Sequence, residues 1–169
     1  RYPQARLVIA GRGHPEYLSA LHKLAQELGI GEQVIWNTGY VPDDQVPKLH
    51  AACEVALLPY RTASQSAALL TAAGLGACVL AAKVGGLAEI VQDGETGLIW
   101  DTDEPSDLAG QMMRAIALSQ PERTSLGMAL RASVLRDLSW DHLAARTVEV
   151  YEWALARRRQ LGETARKHW

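Results

Sequence analysis

The sequence predicts an α/β fold, a doubly wound parallel sheet followed by a C-terminal helical extension. Three observations carry the prediction. Short apolar runs recur between residues 7 and 100, helical patterns separate them, and beyond residue 100 only helical patterning remains. Strands that alternate with helices in this way are joined by right-handed crossovers, which makes the sheet parallel.

Leu7-Val8-Ile9-Ala10, closed by Gly11-Arg12-Gly13, reads as a buried strand ending in a turn. Leu18, Leu21, Leu24, Ala25 and Leu28 recur at helical spacing across 15–28, and Gly29 supplies the stop. Val34-Ile35-Trp36 is the second strand, ending at Gly39-Tyr40-Val41. A short helix is expected to start at Pro42-Asp43-Asp44, with Val46, Leu49 and Ala52 on one face. Strands follow at 55–58, 79–81 and 98–100. Between the third and fourth lies a Ser-rich loop, Thr62 to Ser66, and then a helix of small residues, 67–75, apolar almost all round. Val84-Gly85-Gly86 reads as a turn after the fourth strand. Three helices complete the chain, at 103–118, 121–135 and from the cap Ser139 onward, where Leu143, Thr147, Tyr151 and Leu155 share a face.

The 169 residues fit one domain, with 48% apolar and 21% charged residues giving material for a core. A net charge of −2 argues against a nucleic-acid surface held by bulk electrostatics. No apolar run reaches the roughly 18–20 residues of a membrane span and no signal peptide is visible, so a cytoplasmic location is expected. Cys53 and Cys78 sit in apolar contexts and read as reduced, buried hydrophobes. The chain starts at Arg1 and enters a strand within a few residues, so it reads as a piece of a longer protein: a domain over 1–158 and a basic tail, 159–169, expected to fray.

In an open parallel sheet, ligands bind outside the carboxyl ends of the strands. Four loops lie there: 11–13, 39–41, 61–66 and 83–86. Gly11-Arg12-Gly13 reads first as a tight turn, with a ligand rim as the rival reading. The loop 61–66 is more telling. It leads into a helix N-terminus, whose free N–H groups suit an anion, most plausibly a phosphate. Ser64 and Ser66 also serve as caps, which benefits any helix.

Taken together, L-V-I-A-G-R-G at 7–13, Q-V-I-W-N-T-G-Y-V at 33–41, S-Q-S-A-A-L-L-T-A at 64–72 and V-G-G-L-A-E-I-V-Q-D-G-E-T-G-L at 84–98 resemble the C-terminal half of the retaining nucleotide-sugar glycosyltransferases of family 4. The resemblance spans nearly the whole chain and implies a Rossmann-like donor-binding domain of the two-domain GT-B type. It implies transfer of a hexose from a UDP- or GDP-linked donor, as in polysaccharide biosynthesis, to a glycan or lipid-linked acceptor held mostly by an N-terminal domain. No cofactor and no obligatory metal are implied, and peripheral membrane association would belong to the full-length protein. By position, Ser64, Gln65, Ser66 and Ala67 would meet the donor diphosphate, Tyr40 and Val41 the base, and Thr71 the ribose, with Gly11 and Arg12 at the rim.

Two glutamates that most members carry around this loop are replaced by Ala63 and Thr71, so no catalytic residue is assigned. A subset of the family shows a similar loop with threonine. In the family, a first β-α unit supplies cations to the diphosphate and a central strand to the sheet. That unit would precede Arg1, and its loss would leave two strand edges exposed and the fragment inactive alone. A nucleotide-sugar epimerase and a non-catalytic nucleotide-binding module are the rival functions.

The other candidates read structurally. Asp101 and Asp103 are expected to cap a helix, Glu89 to brace the Gly-Gly turn, and Trp140 and Trp153 to pack. His14, His22, His50, His142 and His168 lack metal-ligand spacing.

Overall fold

Each apolar run becomes a strand in the computed structural model, which describes residues 2–101 and 104–166, with side chains through Arg159. Among the described residues the strands are β1 (Leu7–Ala10), β2 (Val34–Asn37), β3 (Ala56–Leu58), β4 (Val79–Ala82) and β5 (Leu98–Trp100). The α-helices are α1 (Pro15–Glu27), α2 (Val46–Ala52), α3 (Ala67–Gly74), α4 (Gly85–Ile90), α5 (Pro105–Ala117), α6 (Gln120–Asp137) and α7 (Trp140–Arg166). All strand pairings are parallel, as predicted. They form two sheets, β1-β2 and β3-β4-β5, and β1 and β3 exchange no hydrogen bonds. The central strand that the family resemblance implies is not among these five.

The chain divides into two units, Arg1–Leu49 and His50–Trp169. In the first, β1 and β2 pair from Leu7↔Val34 to Ala10↔Asn37. Pro15 opens α1 at a position where its missing N–H costs nothing. Gly29, at φ 68°, supplies the left-handed step that ends it. A one-turn 3₁₀ helix at Gly31–Gln33, not read from the sequence, then leads into β2.

In the second unit β4 is the central strand, and all four of its residues are buried. Its side chains alternate between two cores, as the period of two requires. Val79 and Ala81 join Leu58, Leu69, Ala72, Ala73, Leu87, Val91 and Leu130 on one face. Leu80 and Ala82 join Leu98, Trp100 and Ala115 on the other. Helix α3 packs one face, Leu69, Ala72 and Ala73, between the sheet and α6, while Ala67, Ala68, Thr71 and Gly74 stay exposed on the other. The small residues permit backbone-close packing. A Cβ on Gly127 of α6 would overlap the carbonyl oxygen of Gly76, in the turn after α3.

Several expectations are corrected. Gly85-Gly86 opens the short helix α4 and is not a simple turn. Glu89, within α4, is exposed, and its carboxylate has no hydrogen bond or ion pair among the described residues that would brace the turn. The Asp101 carboxylate pairs with Lys83 Nζ at 2.6 Å, and the N-cap position of α5 falls at Glu104, which makes no side-chain capping bond. Asp103 lies outside the described residues. Trp140 and Trp153 are 87% and 62% exposed, not packed; the Arg157 guanidinium lies over the Trp153 ring instead. The start of α2 falls at Val46, after a turn closed by Gln45 N–H to Pro42 C=O. Cys78 is buried as expected, whereas Cys53 is only half-buried, and both are free thiols. Helix α7 is described as far as Arg166. His168 and the end of the basic tail lie outside the described residues.

Candidate functional site

The loop between β3 and α3 opens onto a cavity of about 740 Å³, lined by Tyr60, Thr62, Ala63, Ser64, Gln65, Ser66, Ala67 and Ala68. Four of the sequence-predicted residues, Ser64 to Ala67, therefore share one concave surface. Every side chain in that lining is uncharged. Its anion-attracting groups are backbone N–H donors and the hydroxyls.

Ser66 takes the N-cap position of α3 in extended conformation, and its Oγ accepts a hydrogen bond from Leu69 N–H at 3.0 Å. The side chain is itself buried. Capping, the bland alternative for Ser66, is thus realised. It uses one lone pair of the hydroxyl and leaves the N–H groups ahead of Leu69 untouched. The N–H groups of residues 64–68 have no protein acceptor among the described residues. These consecutive free donors sit at the positive end of α3, where partial charge favours an anion.

The start of α4 closes the back of this loop. Gly86 N–H donates to Ser64 C=O at 3.2 Å. Lys83, which follows β4, is held by Asp101 rather than left as a free cation. Thr71 lies one turn into α3 on an exposed surface and does not line the cavity.

The remaining predicted residues belong to the first unit. Gly11 N–H donates to Asn37 C=O at 3.0 Å, and Gly11 adopts φ 119°, a value that favours glycine. This bond extends the β1–β2 ladder by one step, and the chain then bends at Gly11. Beyond the bend the Arg12 guanidinium lies 5.2 Å from the Tyr40 ring centroid. Tyr40 is 63% exposed, and Val41 is half-buried. In the same unit His22 stacks on Trp36 at 3.8 Å, a pair that no sequence pattern signalled. Among the described residues no three His, Cys, Asp or Glu side chains cluster as metal ligands. Burial lowers the pKa of the His50 imidazole. Burial also raises the Cys78 thiol, against the opposing Arg123 charge.

Parallel strands joined by helical crossovers define an α/β domain of the Rossmann-like type, with a loop of free amides at a helix mouth beyond one strand's carboxyl end. The chain belongs to the family of glycosyl transferases group 1, which matches residues 1–132. It is similar to a GDP-mannose-dependent alpha-(1-6)-phosphatidylinositol monomannoside mannosyltransferase of Mycobacterium tuberculosis, with 32% identity over 88% of this chain and 40% of the relative. A D-inositol 3-phosphate glycosyltransferase of Acidothermus cellulolyticus is 34% identical over 91% of this chain and 34% of its own length. In fold the chain matches sucrose-phosphate synthase from Thermosynechococcus elongatus, with a TM-score of 0.77 and 24% identity over 90% of this chain and 39% of that one. The chain thus spans 40% or less of the length of these relatives. No described helix is long and apolar enough to cross a membrane.

Proposed function

We propose that this chain is the donor-binding domain of a retaining glycosyltransferase that moves a hexose from a nucleoside-diphosphate sugar to a glycan or lipid-linked acceptor. One observation carries the reading: the free N–H groups of residues 64–68 at the mouth of α3, opening into a cavity large enough for a nucleotide portion. A diphosphate seated there accepts from several amides at once and meets the helix dipole. Those interactions strengthen as charge develops on the departing diphosphate, so they favour the transition state over the bound donor. The GDP-mannose dependence of the mycobacterial relative supports a nucleoside-diphosphate sugar as donor.

The cavity lining supplies no charge. A diphosphate needs cations as well as amides, and the family resemblance implies that Ala63 and Thr71 stand where carboxylates would meet the donor sugar and the ribose. Residues 1–169 alone are therefore inactive, and the full-length protein completes the site. Tyr40, Val41 and Thr71 are proposed to contact base and ribose, with Gly11 and Arg12 at the rim.

The test is turnover by the full-length protein with GDP-mannose and UDP-glucose, with and without a lipid-linked or glycan acceptor. The expected result is acceptor-dependent transfer that keeps the anomeric configuration of the donor. Inversion would contradict the retaining assignment. Isomerisation of the donor sugar without acceptor would favour an epimerase instead.

A further inference from the structure

Gly85 and Gly86 take no part in the chemistry proposed above, yet they press on the loop that does. Gly86 N–H is bonded to Ser64 C=O, and a Cβ at Gly86 would lie 2.5 Å from that same oxygen. A Cβ at Gly85 would overlap the carbonyl oxygen of Ala63. Both obstacles are backbone atoms, which cannot swing aside as the tip of a side chain can. Gly85 also sits at φ 44°, in the left-handed region. Two consecutive loop carbonyls, those of Ala63 and Ser64, are thus turned toward the start of α4.

In a trans peptide the C=O and the following N–H point in opposite directions, and the described backbone has no cis peptide. With the Ala63 and Ser64 carbonyls held against α4, the N–H groups of Ser64 and Gln65 point away from it. Neither has a protein acceptor among the described residues. We propose that Gly85 and Gly86 are positioning residues for the donor diphosphate: by docking on two loop carbonyls, they aim the Ser64 and Gln65 amides into the cavity. This rests on the reading of 64–67 as the diphosphate loop. A side chain at either position pushes the loop off α4 and turns both peptide planes, and losing a charge-assisted hydrogen bond to the diphosphate costs on the order of 10–100-fold in affinity.

The test compares binding of UDP and GDP to the full-length protein by calorimetry in three forms: wild type, Gly86→Ala and Gly97→Ala. Gly97 is a matched control, because its Cβ would be crowded by Val91 and by the Val79 carbonyl, remote from the loop. The expected result is about 10–100-fold weaker binding in Gly86→Ala. Gly97→Ala should keep wild-type affinity at a similar loss of urea-unfolding midpoint. Equal affinity in wild type and Gly86→Ala, or losses in both variants that follow stability alone, overturns the positioning role. Failure of the wild type to bind either nucleotide overturns the donor-loop reading itself.

A measurement on the wild type keeps the proposal testable if Gly86→Ala does not fold. A clamp coupled to the ligand must be tightened by it, because such coupling is reciprocal. The Gly86 amide should therefore exchange its hydrogen about tenfold more slowly when UDP or GDP is bound. Unchanged Gly86 exchange in the bound protein overturns the clamp.

Discussion

At the scale of single residues, Ser66 separates folding from binding. Its hydroxyl caps α3 through Leu69 N–H, so Ser66→Ala should cost roughly 1 kcal/mol of stability, read from urea unfolding. Aspartate is an equally good N-cap, so Ser66→Asp should unfold within about 0.5 kcal/mol of wild type while placing a full negative charge at the helix mouth. The two variants therefore move stability and anion binding in different directions. Ser66 was legible in the sequence because a serine directly before a run of small apolar residues is an N-terminal signature. Its partner contacts were not. The close approach of Gly85 and Gly86 to the loop carbonyls joins segments some twenty residues apart, and no local pattern encodes it. Trp140 and Trp153 were misread for a related reason: helical spacing gives a face, and whether anything covers that face is a tertiary fact.

At the scale of elements, two contacts fix how helices meet the second sheet. Asp93 accepts from both Arg114 of α5 and Ile99 N–H of β5. Burial alone would raise its carboxyl, but these two hydrogen bonds and the Arg114 charge hold it below the usual carboxylate range. A carboxylate with a depressed folded pKa stabilises the fold above its unfolded value, near 4, and loses that contribution as pH falls through the folded value. Asp93→Asn should therefore lower the unfolding midpoint at pH 7, and the gap to wild type should close below about pH 4. The ion pair is half exposed, so the effect is modest. Gly127 gives the opposite lesson about propensity. Alanine in mid-helix normally gains about 1 kcal/mol over glycine. Here its Cβ would meet Gly76 backbone, so Gly127→Ala should destabilise by roughly 1–3 kcal/mol in urea unfolding. Among the elements, α4 escaped sequence reading because Gly-Gly is a turn signal and a six-residue helix is too short to show a period. The capping box of Ser119 and Glu122 ahead of α6 was available in the sequence as S-x-x-E and went unread.

For the whole molecule, the parallel α/β class followed from alternation of strand and helix, and the strands fell where the apolar runs predicted. The single sheet did not follow. Pairing partners are a property of topology, and the described strands form two sheets, β1-β2 and β3-β4-β5. The residues proposed for the donor are likewise divided, with Tyr40 and Arg12 in one unit and the loop 64–67 in the other. Sequence showed which loops follow strand ends; it could not show that the cavity at 60–68 is walled by neutral side chains alone. That neutrality makes amide geometry the main resource of this loop. The most direct test of this account is calorimetric titration of UDP and GDP into the full-length protein, wild type against Ser66→Asp, at pH 7. The account predicts saturable binding of at least one of the two nucleotides by wild type, and its loss in Ser66→Asp with the fold intact. Binding of equal strength in both proteins would contradict it.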